Sequence, residues 1–273
     1  MATYFINPNG NENFPYKTPD DGAVNFNNLL SNVNLLFGDE IKLVPIGIID
    51  DSDEEVIINA NVKIKSNHST KPKVLLHNGL GLSLLKDGIQ IENIEFFDDG
   101  STNSQPLINI NGVNDIKIKN CKFYTNTVVD PKSLIKIIDS SFVTIENCEF
   151  RQLTSDPNYA TINIEDSSKV DIKGNKIQLD GDNNLGIFVT GNNPFSDINI
   201  YDNLIYHPNF QDQLISGIHF DGKYDNVNVY RNVIRYSDIN ESFGIKIELN
   251  NYDGRNIKIK NNTLIREFFE YLW

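Results

Sequence analysis

Positive charge and long apolar runs are scarce in this sequence of 273 residues. Lysine and arginine number 24 against 37 aspartate and glutamate residues, which gives a formal net charge of −13. This deficit argues against nucleic acid and anionic membranes as partners, because both attract basic surfaces. No apolar run reaches the length of a membrane span, and Met1–Pro8 lacks the basic and apolar regions of a signal peptide.

Motifs of common catalytic and metal sites are missing as well. There is no GxxxxGK[ST] phosphate loop, no HExxH zinc motif, no EF-hand loop and no CxxC pair. The two glycines of Gly79–Gly81 are not followed by a third glycine at the spacing of a dinucleotide fingerprint. The sequence therefore predicts no metal ligands and gives no support to a nucleotide site.

A repeat of short alternating segments is the main feature that the chain does have. The segment Ile116–Phe123 alternates apolar and polar residues, and related segments return every 27 to 30 residues. Taking the second aliphatic residue of each segment as a marker, the copies lie at Ile64, Ile91, Ile118, Ile145, Ile172, Ile200, Val229 and Ile259. Such a period indicates a β-solenoid, whose coils bury their apolar faces by stacking.

A shorter strand precedes the marker in each repeat. These strands are Ile108–Ile110, Ile135–Ile137, Ile162–Ile164, Ile187–Val189, Ile218–Phe220 and Ile245–Ile247. Because the repeat is uniform, we assign the chain to a single domain. The prediction places an N-terminal strand and capping helix in residues 1–40, a parallel β-helix in 41–264 and an apolar end segment in 265–273.

The capping helix is predicted from apolar residues at a spacing of about 3.6, followed by Gly38 as a stop signal. These residues are Phe26, Leu29, Leu30, Val33, Leu36 and Phe37. The first coil of a solenoid leaves an apolar end and open strand edges. We therefore expect the helix to lie across that end.

Two further columns are expected to face the interior. The position three residues after the marker reads Ile94, Cys121, Cys148, Asn175, Asn203, Asn232 and Asn262. The position five residues after it reads Phe96, Phe123, Phe150, Ile177, Ile205, Ile234 and Leu264. We predict a hydrogen-bonded asparagine ladder at a bend and, beside it, a continuous apolar stack.

The two cysteines occupy equivalent positions of consecutive repeats and should stack on one another. Neighbouring strands lie about 4.8 Å apart, within the Cα range of a disulfide, but parallel in-register side chains do not readily adopt the disulfide torsion. We expect Cys121 and Cys148 to be buried free thiols.

Charges on the outward positions alternate in sign from coil to coil. One residue after the marker stand Lys65, Glu92, Lys119, Glu146 and Lys173, and four residues after it stand Glu95, Lys122, Glu149 and Lys176. Opposite charges on adjacent strands stabilise a sheet, whereas like charges destabilise it. We assign these residues to stability rather than binding.

These rungs, the asparagine ladder and the segment Gly38–Pro45 resemble the right-handed parallel β-helix of the pectate-lyase-like superfamily. The resemblance covers about residues 20–264. It implies an all-β, single-stranded right-handed parallel β-helix with an N-terminal capping α-helix. That fold serves lyases, hydrolases, epimerases, phage tail spikes and surface adhesins, so it does not fix an activity.

In enzymes of this superfamily the groove runs along the outer face of the first sheet, which corresponds here to the short strands. Their outward residues form one column of Asn109, Lys136, Asn163, Phe188, His219 and Lys246 and a second of Asn111, Ile138, Glu165, Thr190, Asp221 and Glu248. His219, Asp221, Lys246 and Glu248 should therefore meet on two adjacent coils. We call these four residues the His219 cluster.

The His219 cluster is our candidate site. Two adjacent carboxylates, Asp221 and Glu248, can serve as acid and base in glycosidic bond cleavage, and His219 can assist proton transfer. Lys246 is a candidate substrate-binding residue, as are Lys136 and Glu165 lower in the same columns and the tyrosines Tyr201 and Tyr230 on the rungs.

Several interpretations of these residues remain open. Polygalacturonases resemble the cluster in combining acidic residues with a histidine and a basic residue, but their closely spaced Asp motifs are absent here. The arginine base and the calcium-binding carboxylates of pectate lyases are absent as well. Lys246 can simply neutralise the acids on a solvated face, and the cluster can also bind sugar without cleaving it. The two tyrosines can stack on sugars or stabilise the sheet.

The acidic segments Asp50–Glu55 and Asp98–Asp99 could hold calcium, although solvated loops are the expected state, and no other cofactor is predicted. The C-terminal segment Leu264–Trp273 either covers the last coil or contacts another subunit or a further domain. If it joins subunits, a homotrimer is the natural assembly. We expect a polysaccharide-recognising protein, with glycan cleavage by a hydrolase or lyase reaction as one form and a non-catalytic spike or adhesin as the alternative. Either would favour an extracellular or virion-associated location.

Overall fold

The computed structural model describes residues 1–51, 54–76, 81–98, 105–125, 133–153, 160–180, 185–207, 216–237, 242–248 and 256–267. One helix, α1 (Phe26–Asn32), lies within these residues. The strands are β1 (Thr3–Ile6), β2 (Asp39–Leu43), β3 (Ile48–Asp50), β4 (Val56–Ile58), β5 (Val62–Lys65), β6 (Lys73–Leu75), β7 (Leu82–Leu84), β8 (Gln90–Glu92), β9 (Glu95–Asp98), β10 (Ile108–Asn111), β11 (Lys117–Lys119), β12 (Lys122–Thr125), β13 (Ile135–Ile138), β14 (Ser141–Glu146), β15 (Glu149–Gln152), β16 (Ala160–Glu165), β17 (Ser168–Lys173), β18 (Lys176–Leu179), β19 (Leu185–Tyr201), β20 (Leu204–Tyr206), β21 (Ser216–Tyr230), β22 (Val233–Ser237), β23 (Phe243–Glu248), β24 (Lys258–Lys260) and β25 (Thr263–Glu267).

Three parallel walls enclose one apolar core, which confirms the predicted right-handed parallel β-helix. The short-strand wall contains β4, β7, β10, β13, β16 and β23. The marker wall contains β1, β2, β5, β8, β11, β14, β17 and β24. The long strands β19 and β21 contribute to both of these walls, since each pairs at its start with the short strands and at its end with the marker strands. The third wall contains β3, β6, β9, β12, β15, β18, β20, β22 and β25.

The predicted register is confirmed along the marker wall. Ile64 pairs with Ile91, and the same pairing carries each marker to the next as far as Val229 and Ile259. The markers from Ile64 to Val229 are fully buried, whereas Ile259 is 44% exposed. Leu264, which was also expected inside, is 47% exposed. Within the described part of the chain no strand stacks beyond β24 or β25, so no described layer covers the inward side chains of the last coil.

The asparagine ladder is present. Asn203 Oδ1 accepts from the backbone N–H and the side-chain amide of Asn175, each at 3.0 Å. Asn232 Oδ1 accepts the same two hydrogen bonds from Asn203, at 3.1 and 3.0 Å. Asn262 Oδ1 accepts them from Asn232, both at 2.9 Å. Each side-chain amide also donates to a backbone carbonyl of an earlier coil, as Asn203 does to Ile172 at 2.9 Å. The ladder therefore supplies hydrogen-bond partners to backbone N–H and carbonyl groups that are buried at this bend.

The cysteines continue this column into the coils that precede Asn175, and both are buried free thiols, as predicted. The N–H of Cys148 donates to Asn175 Oδ1 at 2.9 Å, and the N–H of Cys121 donates to Cys148 Sγ at 3.4 Å. Burial is the main reason why the pKa of Cys148 is raised. The protonated thiol is the form that can donate to the Glu146 carbonyl, which lies 3.4 Å away.

Alternating charges on the marker wall form ion pairs across the strands. Lys65 Nζ lies 2.6 Å from Glu40, and Lys119 Nζ lies 2.9 Å from Glu146. Glu146 also reaches Lys173 at 3.6 Å in the next coil. Glu146 thus lies between two lysines, as the sign alternation predicted, whereas Lys42 lies opposite Lys65 at the start of the wall. Because the groups are partly exposed, each pair contributes on the order of a few tenths of a kcal/mol.

The helix α1 is shorter than predicted, because Leu36 and Phe37 lie outside it and are 64% and 78% exposed. Asn25 caps its N-terminus, and the chain becomes extended at Val33. Ser31 Oγ and the Asn32 amide donate to the carbonyls of Asn27 and Asn28, where they compete with the backbone N–H groups of the same two residues. The apolar periodicity alone did not reveal this competition.

The expectation of a solvated Asp50–Glu55 loop is wrong for Asp51, whose carboxylate is buried. Asp51 accepts from the backbone N–H groups of Phe26 and Asn27 at 3.1 and 3.0 Å, so it holds the start of α1 against the first coil. The buried residues Phe26 and Leu29 join the core, consistent with a cap.

The second acidic segment also departs from the expected solvated loop. Asp98 is the last residue of β9, is only 1% exposed and lies beside the buried Thr125 of β12. Asp99 and the last six residues, 268–273, lie outside the described residues, as do Ser52 and Asp53. No helix in the described part of the chain is long and apolar enough to cross a membrane.

Candidate functional site

The short-strand wall brings the His219 cluster together. Side chains alternate between inside and outside along a strand, so His219 and Asp221 of β21 both point away from the buried Ile218 and Phe220. Strand β23 pairs with β21 in register, which places Lys246 beside His219 and Glu248 beside Asp221. The predicted adjacency of these four residues is therefore observed.

Glu248 is the centre of the cluster, and its carboxylate reaches across to the other column. One oxygen lies 2.7 Å from Lys246 Nζ, and the other lies 3.0 Å from His219 Nε2. The hydrogen bond from Lys246 is the largest reason why the pKa of Glu248 is lowered, and the bond from His219 acts in the same direction against the effect of burial. Glu248 is thus an ionised carboxylate held by two nitrogens.

This geometry narrows the chemistry available to Glu248. A carboxylate with a lowered pKa is suited to accept a proton, to orient a neighbour or to stabilise positive charge, but not to donate a proton as a general acid. In a hydrolytic scheme the acid would have to be Asp221. Asp221 is half-buried and lies next to Glu248 in the register of the wall.

His219 is held in a fixed position by its neighbours. Its side chain is only 11% exposed, and its ring lies 4.9 Å from the ring of Phe188 on the preceding coil at a tilt of 41°. Since an ionised carboxylate can only accept, Nε2 carries the proton that is shared with Glu248. In the neutral imidazole the other nitrogen, Nδ1, is then the basic one.

A second charged pair lies on earlier coils of the same wall. Lys136 Nζ is 3.3 Å from the carboxylate of Glu165 on the next coil. Lys136 and Lys246 belong to one column and are separated by four strand spacings, or about 19 Å. The described wall therefore carries two charged groups joined by a stretch that contains Asn163, Phe188 and Thr190 on its outward face.

Tyr201 and Tyr230 lie on the marker wall and not among these columns. Their rings stack in parallel, with centroids 4.8 Å apart and an interplanar angle of 3°. The Arg231 guanidinium lies 4.9 Å from the centroid of Tyr230. Since the ring faces are directed along the stack, the pair presents ring edges to solvent. This arrangement favours a role in sheet stability over stacking on a sugar.

Phe188 is a member of the site that sequence reasoning did not single out. It stands one coil below His219 in the same outward column, so the column register contained the signal. What the sequence could not supply was the ring contact that covers the imidazole. For metals, the described residues contain no group of three or more His, Cys, Asp or Glu side chains able to hold an ion.

The sequence matches a family model described as "Right handed beta helix region" over residues 46–234 and 106–269. No curated protein matches it. The chain also resembles several solved structures at low sequence identity. This likeness concerns the fold alone.

One of these structures is a rhamnogalacturonan lyase, with 9% identity, a TM-score of 0.48 and coverage of 97% of this chain and 87% of the other. A GH136 lacto-N-biosidase from Eubacterium ramulus has 11% identity, a TM-score of 0.45 and coverage of 97% and 68%. The catalytic domain of a GH87 alpha-1,3-glucanase in complex with nigerose has 11% identity, a TM-score of 0.31 and coverage of 84% and 63%.

Proposed function

Because the chain belongs to the right-handed β-helix family, we propose that the outer face of its short-strand wall recognises a polysaccharide. A solenoid offers a straight row of outward side chains at one strand spacing, which suits an extended polymer better than a small molecule. The row from Lys136 to Lys246 combines charged groups, amides and an aromatic ring. These are groups that bind sugar hydroxyls and the apolar faces of sugar rings.

One observation carries this proposal. On the marker wall each glutamate faces lysine across the strands, as Glu146 does at Lys119 and Lys173. On the short-strand wall two acidic residues, Asp221 and Glu248, are direct neighbours on adjacent strands. Like charges opposed across strands destabilise a sheet, and departures from local stability rules are typical of functional positions. The pair is consistent with a binding or catalytic role, although like charges also oppose each other on the marker wall, where Lys42 lies opposite Lys65.

Cleavage of the bound glycan is the finer form of the proposal. In a hydrolytic reaction, Asp221 would donate a proton to the leaving oxygen while the ionised Glu248 acted as base or nucleophile. In an elimination, Nδ1 of His219 would accept the proton, with Glu248 holding the ring in position and stabilising the imidazolium. Both schemes use the cluster and predict different products.

A structural role is the second candidate function. It is favoured by the continuous core, the asparagine ladder and the ion-paired marker wall, which together make the solenoid a rigid rod. In that case the protein would be a spacer in a spike or adhesin, and the cluster would be a solvated surface.

A binding experiment with matched variants tests the proposal. Wild-type protein is tested against a panel of plant, algal and bacterial glycans by affinity electrophoresis and calorimetry, and the mixtures are assayed for new reducing ends and unsaturated products. We expect binding that falls at least about tenfold in Glu248→Gln, the loss expected for a charge-assisted hydrogen bond.

The control variant is Glu146→Gln. Glu146 likewise contacts two cations, but it lies on the marker wall. It should leave glycan binding unchanged. Equal loss in both variants, or no binding across the panel, would favour the spacer. Hydrolytic products that vanish in Asp221→Asn would establish the catalytic form.

A further inference from the structure

The lysines of the short-strand wall are already neutralised by carboxylates of the same wall. Lys136 pairs with Glu165 at 3.3 Å, and Lys246 pairs with Glu248 at 2.7 Å. From this we infer that the recognised glycan is neutral rather than a polyuronate or another polyanion. The inference rests on the proposed function, since it names the substrate class of the same wall. It limits the elimination scheme to esterified uronates, because the proton that His219 would accept is acidic only next to a carbonyl group.

The charge of the wall supports this inference. From β10 to β23 its two outward columns contain the acids Glu165, Asp221 and Glu248 and the lysines Lys136 and Lys246, a formal charge of −1. Protonation of His219 would raise this charge only to zero. The described face therefore lacks the net positive charge that a row of glycan carboxylates would require.

The local geometry adds a specific penalty for an acidic sugar. Both oxygens of Glu248 are occupied, one by Lys246 and the other by His219. A substrate carboxylate that approached Lys246 would have to compete with Glu248 for that ammonium group, and it would meet the negative charge of Glu248 directly. The same holds for Lys136 and Glu165. The net charge of −13 on the whole chain adds a repulsion that is screened over about 8 Å at physiological salt.

Neutral sugars match the same groups without this conflict. Glu165 and Glu248 are 40% and 41% exposed, so their oxygens can accept hydrogen bonds from hydroxyl groups while they keep their lysines. Phe188 and Ile138 are half-buried in the outward columns and offer apolar contact to a ring. Hydrogen bonds from hydroxyls to ionised carboxylates are among the stronger neutral-ligand contacts.

The test compares polymers that differ in charge but not in backbone. The probes are homogalacturonan in fully methyl-esterified and fully de-esterified form, together with neutral glucans, xylans and galactans and the acidic polymer alginate. Affinity is measured in about 0.05 M and about 0.5 M NaCl, between which the screening length falls about threefold. We expect each bound polymer to be neutral, with an affinity that changes less than about twofold with salt.

Charge variants provide an internal check. Glu165→Gln frees Lys136 and should increase affinity for the de-esterified polymer several-fold at low salt, with the gain lost at high salt. The matched Glu146→Gln variant frees cations on the marker wall and should show no such gain. Both changes are isosteric and partly exposed, and circular dichroism shows whether each variant folds.

The outcomes separate the inference from the proposed function. Preferential binding of acidic polymers that weakens with salt would overturn the inference, while glycan recognition by the wall would stand. Binding of neutral polymers that is insensitive to Glu248→Gln would place recognition elsewhere and overturn both. Failure to bind any polymer would remove the proposed function and the inference with it.

Discussion

Truncation of the asparagine ladder at Asn203 is the most direct test of the fold. The side chain of Asn203 is 1% exposed and makes four hydrogen bonds. Its oxygen accepts from the N–H and the amide of Asn175, and its amide donates to Ile172 and to Asn232. Asn203→Ala removes all four and leaves the buried N–H of Asn175 without its acceptor.

The expected loss can be estimated from these contacts. An unsatisfied buried N–H costs about 1–3 kcal/mol, and each of the three other lost hydrogen bonds contributes about 0.5–1.5 kcal/mol. Because neighbouring bonds are not additive, we expect a loss of about 3–5 kcal/mol in the free energy of unfolding. That is a large fraction of the stability of an ordinary domain.

Urea unfolding followed by circular dichroism measures this loss. A change in midpoint with an unchanged slope reports stability alone. Asn203→Cys is the matched control, because Cys148 Sγ already accepts from the N–H of Cys121 in this column at 3.4 Å. For Asn203→Cys we expect the loss in the free energy of unfolding to be roughly half that of Asn203→Ala. Asn262→Ala, at the half-buried end of the ladder, should lose only about 1 kcal/mol because water can replace its bonds. A loss below about 1 kcal/mol for Asn203→Ala, or a greater loss at Asn262, would refute the ladder as a source of stability.

Three further predictions concern buried groups and the apolar end. Burial raises the pKa of Asp51 from 3.8 to about 6. As pH rises, the carboxyl group of Asp51 therefore ionises in the unfolded chain before it does in the folded protein, and the free energy of unfolding should fall by about 3 kcal/mol between about pH 4 and pH 6. Urea titrations at several pH values should show this decrease, and Asp51→Asn should abolish it. Cys121 and Cys148 should react with a thiol reagent only at the rate of unfolding, and fast reaction of native protein would contradict their burial. Trp273, the single tryptophan, should fluoresce at short wavelength at every protein concentration if the C-terminal segment covers the last coil. A blue shift that appears only at high concentration would indicate the homotrimer instead.

Much of the fold could be predicted because parallel, in-register stacking turns sequence spacing into spatial neighbourhood. A residue about 27 positions away lies on the adjacent strand, so the order Glu92, Lys119, Glu146 along the chain is also the order along the wall. The same rule identified the neighbours His219 and Lys246. Each prediction required only the period and the alternation of sides.

The features that were missed depend on side-chain choices or on the ends of the stack. Asp51 caps α1 from another part of the chain, and no repeat could reveal that contact. Leu264 obeys the apolar pattern but lies in the last described coil, where the next layer that would bury it is not described. Within the site, the register placed Glu248 beside Asp221, yet its carboxylate turns toward His219 instead, because that side offers hydrogen-bond donors.

Carboxylates with similar partners have opposite consequences on two walls of this solenoid. Glu146 lies between lysines of adjacent coils, so its neighbours across the strands are favourable and its position needs no further explanation. Glu248 also has two nitrogen partners, but Asp221 is its neighbour across the strands. Its ion pair with Lys246 lies on its own strand, where it compensates this contact without adding cohesion between coils. On the marker wall Lys42 likewise lies opposite Lys65, but there Glu40 contacts both lysines. We propose that recognition of a ligand along the short-strand wall accounts for the acidic pair of Asp221 and Glu248 there.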